Sequence, residues 1–208
     1  MGTRAYHEAV WERVPEGAEP EGFAVRRTFL LRHVAPGERV LDVGCGEGSF
    51  SAELHRAGAR VVGVDVAREP LERASRLHPG LDLRLVDPDG EWDLELSSFD
   101  AVWAGEVIEH VADTTTWLSQ VRSLLRPGGR LILSTPDHGP LTLMRMALSP
   151  RAFQTVMDPR SDHLRFYNRR AISGLLSDLG FDSIRVSRAG GLPGARRHLL
   201  VLATRSRY

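Results

Sequence analysis

The stretch Val40-Leu41-Asp42-Val43-Gly44-Cys45-Gly46-Glu47-Gly48-Ser49-Phe50 decides the fold. Its apolar first half predicts a buried strand, and its three alternating glycines predict a tight turn that opens a helix. Because glycine lets the backbone approach a ligand closely, a strand–turn–helix unit of this kind is typical of nucleotide-binding sites. Such turns also arise for packing alone, so the interpretation needs support from the rest of the chain.

Around this unit, short apolar runs alternate with helical stretches, which predicts a doubly wound α/β fold. The predicted strands are Arg39–Val43, Arg60–Asp65, Leu81–Asp87, Phe99–Ala104, Arg130–Thr135, Phe181–Arg188 and Arg197–Thr204. The first five are far enough apart for crossover helices, whereas residues 189–196 are too few for one, so the last two strands should form a hairpin. The expected fold class is α/β, a seven-stranded, mostly parallel, doubly wound sheet with a C-terminal antiparallel β-hairpin.

The chain has no internal repeats and no low-complexity linker, so we expect residues 1–208 to form a single domain. Ala5–Arg13 and Phe23–Val34 predict helices in an N-terminal segment of about residues 1–34. Residues 136–167 read as a cap inserted after the fifth strand. The apolar side chains of this cap either wall an acceptor or form the core of a short helix: Leu141, Met144, Met146 and Phe153.

The composition is that of an ordinary globular protein, with 42% hydrophobic and 26% charged residues among 208. No apolar run approaches the roughly 18 residues of a membrane span, and no secretory signal is recognisable, so we expect neither. The single cysteine, Cys45, cannot form an internal disulfide, which fits a cytoplasmic protein.

Charge is unevenly distributed although the formal net charge is zero. Residues 151–208 hold 11 arginines against four aspartates. This basic region either faces an anionic partner, such as an RNA, or is simply a solvated surface.

Two carboxylates follow the glycine turn at the ends of the next two strands. Asp65 ends the second strand, about twenty residues after the turn, where an acid can accept both ribose hydroxyl protons of an adenosine. Asp87 ends the third strand, where it can meet the adenine amino group. The turn and Asp65 together favour a nucleoside site over a structural cap of the strand.

These motifs, with Phe99-Asp100-Ala101-Val102 and Leu125-Arg126-Pro127-Gly128-Gly129-Arg130-Leu131, resemble the class I S-adenosylmethionine-dependent methyltransferases. The resemblance covers nearly the whole chain from Arg39 onward. Dehydrogenases usually carry G-x-G-x-x-G, whereas Ser49 stands here in place of the third glycine. The resemblance implies S-adenosylmethionine as cofactor. The residues it implies around the methionine part are Asp42, Gly44, Cys45, Gly46, Gly48 and Gly105, with Asp65 at the ribose and Val66, Asp87 and Pro88 at the adenine.

A second constellation follows the fourth strand. Glu106, Glu109 and His110 share one face if this segment is helical, and His163 follows the cap. The pattern resembles the ubiquinone-pathway O-methyltransferases and the RNA 3′-terminal 2′-O-methyltransferases, in which it is associated with a divalent cation near the acceptor hydroxyl. The implied metal ligands are Glu106, Glu109, His110 and His163, a set that suits Mg²⁺, Mn²⁺ or Zn²⁺.

An interpretation of this motif without a metal ion also remains open, because the helix dipole favours acidic residues such as Glu106 and Glu109 at the start of a helix. In that case His110 or His163 is the general base. The expected catalytic residues are therefore His110, His163 and Glu109.

The sequence predicts an S-adenosylmethionine-dependent methyltransferase that acts on a small-molecule acceptor, more specifically on oxygen. The alternatives are an RNA ribose 2′-O-methyltransferase, favoured by the basic C-terminal region, and a cofactor-binding regulatory protein without catalysis. The absence of a separate RNA-binding module argues against the first, and the acidic and histidine-rich acceptor face argues against the second.

Overall fold

One mixed sheet runs through the structure, a computed structural model that describes residues 3–158, 161–191 and 197–207. The strands lie side by side in the order β3-β2-β1-β4-β5-β7-β6. They are β1 (Arg39–Val43), β2 (Arg60–Asp65), β3 (Asp82–Leu85), β4 (Phe99–Gly105), β5 (Leu125–Pro136), β6 (Phe181–Ala189) and β7 (His198–Arg205). Four pairings are parallel and the two that involve β7 are antiparallel, which confirms the predicted fold class.

Helices flank the sheet and connect its strands. In the described ranges they are α1 (Thr3–Trp11), α2 (Phe23–Leu31), α3 (Ser49–Arg56), α4 (Arg68–Leu77), α5 (Thr114–Leu124), α6 (Pro140–Leu148), α7 (Pro150–Val156) and α8 (Arg169–Asp178). No helix in these ranges is long and apolar enough to cross a bilayer.

The core lies in two layers, because alternate strand residues point to opposite faces of the sheet. On β1, Val40 belongs to the layer under α2 and α3, whereas Leu41 belongs to the layer under α5 and α8. Leu30 and Leu54 fill the first layer, and the second layer takes buried side chains from the other two helices: Leu118, Val121, Leu124, Ile172 and Leu176. Since both faces are covered, β1, β2 and β4 are mostly buried, whereas β3 at the edge of the sheet is only partly buried.

The C-terminal hairpin closes one side of the sheet as predicted. β6 and β7 pair antiparallel, and β7 lies between β5 and β6 rather than at the edge. Residues 192–196 of the predicted connection lie outside the described residues.

Sequence-based boundaries differ from the structure at several elements. The segment from Glu106 is not one helix, because only Ile108–His110 form a 3₁₀ turn and Glu106 itself has φ 58°. α2 ends at Leu31 rather than at Val34, and the chain continues in a turn in which the N–H of His33 donates to the carbonyl of Leu30, at 2.9 Å. β5 starts at Leu125, five residues before the predicted Arg130, because Leu125 already pairs with Phe99 of β4. A bulge separates this pair from the one between Ala101 and Arg130.

The cap predicted after the fifth strand contains α6 and α7, neither of which has a buried residue. An isolated bridge between Asp137 and Tyr167 joins the two ends of this insertion. The N–H of His138 also donates to the carbonyl of Tyr167, at 2.9 Å. The insertion therefore leaves and rejoins the domain at one place, beside the end of β5.

Candidate functional site

The glycine turn connects β1 to α3 at the carboxyl end of the sheet. Gly44, Gly46 and Gly48 have φ of 67°, 53° and 78°, a left-handed backbone that other residues rarely adopt. A Cβ at Gly44 would lie 2.6 Å from the side chain of Val107, and one at Gly46 would lie 2.8 Å from Trp11. The turn thus needs glycine both for its conformation and for its contacts with the β4 end and α1.

Asp65 lies directly beside this turn at the end of β2. One carboxylate oxygen accepts the N–H of Gly46 and the other accepts the N–H of Ala67, each at 2.9 Å. Burial raises the pKa of Asp65, while these two hydrogen bonds act in the opposite direction. These two hydrogen bonds fix the carboxylate in place. Each oxygen keeps a second lone pair, so the carboxylate can still accept hydrogen bonds from the hydroxyls of a bound diol.

Asp42, on β1 just before the turn, and Cys45, within the turn, are both buried. The hydroxyl of Ser51 donates to Asp42 at 2.6 Å, and burial raises the pKa of Asp42 to about 7. Burial also raises the pKa of the Cys45 thiol well above its usual value. Cys45 is therefore a packed residue and not a nucleophile.

At the end of β3, the carboxylate of Asp87 is exposed and accepts the N–H of Asp89 at 3.0 Å. Val66 and Pro88, the neighbouring residues predicted at an adenine, are partly buried. Arg4 spans the ends of β2 and β3 by donating to the carbonyls of Val66 and Val86, at 3.1 and 3.0 Å. The N-terminal helix therefore closes over this end of the site.

Further contacts attach the N-terminal segment to the site. The carboxylate of Glu8 accepts the N–H groups of Arg68 and Glu69, at 2.7 and 3.1 Å, at the start of α4. Arg73 donates to the carbonyl of Trp11 and to the buried carboxylate of Glu47, at 3.2 and 3.0 Å. We call residues 3–22 the N-terminal strap, because they lie across the glycine turn.

Glu109, His110 and His163, which we call the acceptor cluster, come together where the chain returns from the cap. The carbonyl of Glu109 accepts the N–H groups of Leu164 and Arg165, at 2.8 and 3.0 Å. This pairing brings His163 against His110, with ring centroids 4.9 Å apart and planes at 70°. One ligand-type atom each from Glu109, His110 and His163 lies within 4.8 Å of the others.

The hydrogen bonds and pKa values of the acceptor cluster are compatible with binding a cation or a proton. Oε2 of Glu109 accepts from Thr135 at 3.0 Å, while Oε1 is buried with no hydrogen-bond partner among the described residues. Burial, together with the charge of Glu106, raises the pKa of Glu109 to about 7. Burial also lowers the pKa of His163. A neutral imidazole and a carboxylate with a free oxygen are the donors that a divalent cation needs.

Asp162 fixes the orientation of His110. Its carboxylate lies 3.2 Å from Nδ1 of His110, and its carbonyl lies 3.1 Å from the same atom. Burial alone would lower the pKa of His110, but the hydrogen bond and charge of Asp162 outweigh it and raise the pKa. Nε2 of His110 is the nitrogen left available.

Glu106, the fourth predicted metal ligand, does not join this cluster. Its Oε1 lies 3.4 Å from Nδ1 of His198 and 3.9 Å from Nε of Arg26. Burial raises the pKa of Glu106, but His198 and Arg26 outweigh this and hold it below its usual value. The physical reason is the left-handed backbone at Glu106, which ends the helical spacing on which the four-ligand prediction relied.

The apolar side chains predicted to wall an acceptor are exposed on the cap. Leu141, Met144 and Phe153 are 38%, 50% and 51% exposed, and Met146 is half-buried. Because the two cap helices bury nothing, these side chains are not the core of the cap.

Sequence reasoning missed the contributions of Arg26, Asp162, and the strap residue His7. His7 lies close enough to both Asp65 and His110 for their charges to act on its pKa, which burial lowers. Arg26 is one of 27 arginines in a chain without lysine, so its type carried no signal. Asp162, next to His163, was the one residue that the motif itself could have indicated.

A sequence profile described as a methyltransferase domain matches residues 18–186. Among the relatives, the ubiquinone biosynthesis O-methyltransferase of Hahella chejuensis is 36% identical over 145 residues, which are 67% of this chain and 60% of the relative. That of Xanthomonas axonopodis pv. citri is 40% identical over 122 residues, 56% of this chain and 51% of the relative. The chain thus spans about half to three fifths of the length of these relatives.

Solved structures share the fold. An S-adenosylmethionine-dependent methyltransferase from Mesorhizobium loti matches with a TM-score of 0.70 and 24% identity, over 91% of this chain and 99% of that one. Phosphoethanolamine N-methyltransferase 2 of Haemonchus contortus, in complex with S-adenosyl-L-methionine, matches with a TM-score of 0.71 and 19% identity, over 94% and 55%.

Proposed function

The chain belongs to the methyltransferase domain family, and from this premise we propose that it transfers a methyl group from S-adenosylmethionine to a hydroxyl oxygen of a small-molecule acceptor. One observation carries the proposal: Glu109, His110 and His163 converge at the same edge of the sheet as Asp65 and the glycine turn. His7 is influenced by the charges of both Asp65 and His110, which fits a donor site adjoining an acceptor site.

In the donor site, Asp65 would accept hydrogen bonds from the two ribose hydroxyls, because Gly46 and Ala67 already hold its carboxylate in place. Asp87, Val66 and Pro88 receive the adenine at the β3 end. The turn formed by Gly44, Cys45, Gly46 and Gly48, with Asp42 just before it and Gly105 opposite, receives the methionine part. The buried guanidinium of Arg26 would supply positive charge near the carboxylate of this methionine part.

In the acceptor site, the sulfonium already activates the methyl group, so the chain must align the acceptor oxygen and remove its proton. Asp162 holds His110 through Nδ1, which leaves Nε2 to take that proton. Glu109, His110 and His163 also fit a divalent cation, since Oε1 of Glu109 is buried without a partner. When bound, such a cation would lower the pKa of the acceptor hydroxyl.

The names of the relatives make a hydroxyl of a ubiquinone precursor the first acceptor to test. The buried, unpaired Cys45 supports our placing the reaction in the cytoplasm. The basic surface of residues 151–208 keeps RNA as the second candidate acceptor.

Calorimetry with S-adenosylhomocysteine tests the donor site. We expect Asp65→Ala to weaken binding at least about tenfold, because two hydrogen bonds to the ribose disappear. Asp182→Ala, at an exposed position of β6 on the far edge of the sheet, is the matched control and should bind as the wild type does. Wild-type protein that does not bind the ligand would overturn the proposal.

Transfer of a labelled methyl group tests the acceptor. We expect methylation of a hydroxyl of a ubiquinone precursor, with little dependence on salt. If RNA is the acceptor instead, binding of a short oligonucleotide should fall steeply with salt, because counterions are released. Methylation of a terminal ribose with that salt dependence would replace the small-molecule proposal.

A further inference from the structure

The N-terminal strap lies over the donor site but takes no part in the core. Arg4 donates to the carbonyls of Val66 and Val86, at the ends of β2 and β3. The ring of Trp11 lies so close to Gly46 in the glycine turn that a Cβ there would be 2.8 Å from it. No residue from 4 to 22 is fully buried, and neither core layer of the described chain includes one of them. A segment held mainly by polar contacts can detach while the rest of the domain stays folded.

Two buried side chains hold the second half of the strap. Arg73, on α4, is 9% exposed and Glu47, in the glycine turn, is 5% exposed, and Nη1 of Arg73 donates to Oε1 of Glu47 at 3.0 Å. The N–H of Gly17 donates to Oε2 of Glu47 at 2.8 Å. Arg73 also donates to the carbonyls of Val14 and Trp11, at 2.7 and 3.2 Å. We call Glu47 and Arg73 the clamp, because together they bind three residues of the strap through its backbone.

The clamp ties the strap to the glycine turn. Glu47 stands between Gly46 and Gly48, and the left-handed backbone of these two glycines sets the direction of its side chain. Charge-assisted hydrogen bonds are stronger than neutral ones, and loss of Arg73 would leave the carboxylate of Glu47 buried without its ion-pair partner. A ligand that fixes the turn therefore also fixes the strap.

His7 is on the face of α1 that is turned toward the donor site. It follows Arg4 by three residues and precedes Trp11 by four, so the three side chains share one face of the helix. Since Arg4 and Trp11 both contact the donor site, His7 points toward it as well. Its side chain is partly buried there.

The acceptor cluster lies within reach of the same end of the strap. Burial lowers the pKa of His7, the charges of Asp65 and Asp162 act in the opposite direction, and the charge of His110 lowers it further. Burial and the charge of Asp162 raise the pKa of the neighbouring Tyr6. His7 is therefore near both the donor carboxylate and the acceptor cluster.

Resting on the proposed function, we propose that the strap is the lid of the acceptor site: when closed it places His7 against the acceptor, and Glu47 and Arg73 are the positioning residues that hold it closed. The cofactor enters and leaves while the strap is open, because the closed strap lies over the glycine turn. The acceptor meets His7 only after closure, so the cofactor binds first and favours binding of the acceptor. In the closed state the imidazole of His7 donates a hydrogen bond to the acceptor.

Hydrogen exchange tests closure without any acceptor. In the wild type we expect saturating S-adenosylhomocysteine to slow exchange at the amide of Gly17 at least about tenfold. Arg73→Met should remove most of this protection, and Glu47→Gln, which keeps an oxygen for Gly17, should remove part of it. Arg76→Met is the matched control, because it breaks the exposed ion pair with Glu16 between the same two elements, and it should keep the protection within about twofold. Slow exchange at the amides of β1 shows that each variant is folded.

Calorimetry with a ubiquinone precursor tests the lid as part of the acceptor site. We expect the wild type to bind the precursor at least about tenfold more tightly with S-adenosylhomocysteine than without it, because the two sites are coupled through the strap. Arg73→Met should reduce this difference to less than about threefold, whereas Arg76→Met should keep it. His7→Ala should weaken binding of the precursor about tenfold and that of S-adenosylhomocysteine less than about threefold. His7→Gln, whose amide can donate in place of the imidazole, should recover part of the loss.

The inference fails if exchange in the strap is the same with and without S-adenosylhomocysteine, or if the precursor binds equally well in both states. Equal losses of cofactor and acceptor binding in His7→Ala would also overturn it. Wild-type protein that does not bind S-adenosylhomocysteine, or that binds the precursor in neither state, would instead refute the proposed function. The two failures are therefore distinguishable.

Discussion

Asp42 lies on β1 just before the glycine turn, with 1% of its surface exposed, and burial raises its pKa to about 7. In an unfolded chain an aspartate has a pKa of about 3.9. Between these two values the folded chain keeps a proton that the unfolded chain has lost. The free energy of unfolding therefore falls as the pH rises from about 4 to about 7, as far as this residue is concerned.

We expect Asp42→Asn to remove this contribution. The stability of the variant relative to the wild type should rise by about 2–3 kcal/mol between pH 5 and pH 7.5 and then level off. Urea unfolding at several pH values measures it, with the exposed Asp182→Asn as control. Parallel pH profiles for Asp42→Asn and the wild type would show that Asp42 ionises normally in the folded chain.

The sequence indicated the site residues whose positions follow from where the parallel strands end. It missed the residues whose positions depend on contacts with parts of the chain that are distant in sequence. Asp65 was predictable because parallel strands end at one edge and the glycine turn marks that edge. Glu106 was not, because its place depends on one left-handed residue and on contacts with Arg26 and His198. Those partners are 80 and 92 residues away in sequence.

At the scale of elements, α4 lacks a cap of its own. Ala67 occupies its N-cap position, and its methyl side chain cannot accept hydrogen bonds from the first N–H groups of the helix. The carboxylate of Glu8 on α1 accepts two of them instead. The N-terminal strap and α4 are therefore stabilised by the same contact.

We expect Glu8→Ala to lower the free energy of unfolding by about 0.5–2 kcal/mol, the usual effect of removing a cap. Hydrogen exchange should become faster at the amides of Arg68 and Glu69. Glu12→Ala, at an exposed position directly after the end of α1, should change stability by less than about 0.5 kcal/mol. Equal effects of the two substitutions would show that the hydrogen bonds of Glu8 to α4 do not contribute to stability.

Helices and strands were predictable from their apolar residues where they are buried in the core. β1 and β2 have the predicted bounds because both are buried and end at glycine or at Asp65. The sequence predicted a longer helix where the structure has a 3₁₀ turn at Ile108–His110. The spacing of Glu106, Glu109 and His110 is compatible with both conformations. How α1 docks was not predictable, because its contacts are with the backbone of other elements.

At the scale of the whole molecule, the sheet and the cap differ in what they contribute to stability. Leu199 on β7 is fully buried in the layer under α8, whereas Leu148 at the end of α6 is 78% exposed. Other large apolar side chains of the cap are also exposed, Leu143, Met144 and Phe153 among them.

We expect Leu199→Ala to lower the free energy of unfolding by about 2–5 kcal/mol, because it opens a cavity in a packed core. Leu148→Ala should change it by less than about 0.5 kcal/mol. Urea denaturation of both variants measures the contrast. A comparable loss for Leu148→Ala would mean that the apolar face of the cap is covered in solution.

The position of β7 has a consequence for how the protein is made. This strand, residues 198–205, is the last of the seven strands in chain order, yet it lies between β5 and β6 and pairs with both. Until it has left the ribosome, the apolar β5 has an unpaired edge and β6 has no neighbour. The nascent chain can form its parallel strands early, but the sheet closes only in a late step, and β5 is exposed to chaperones or to other nascent chains until then.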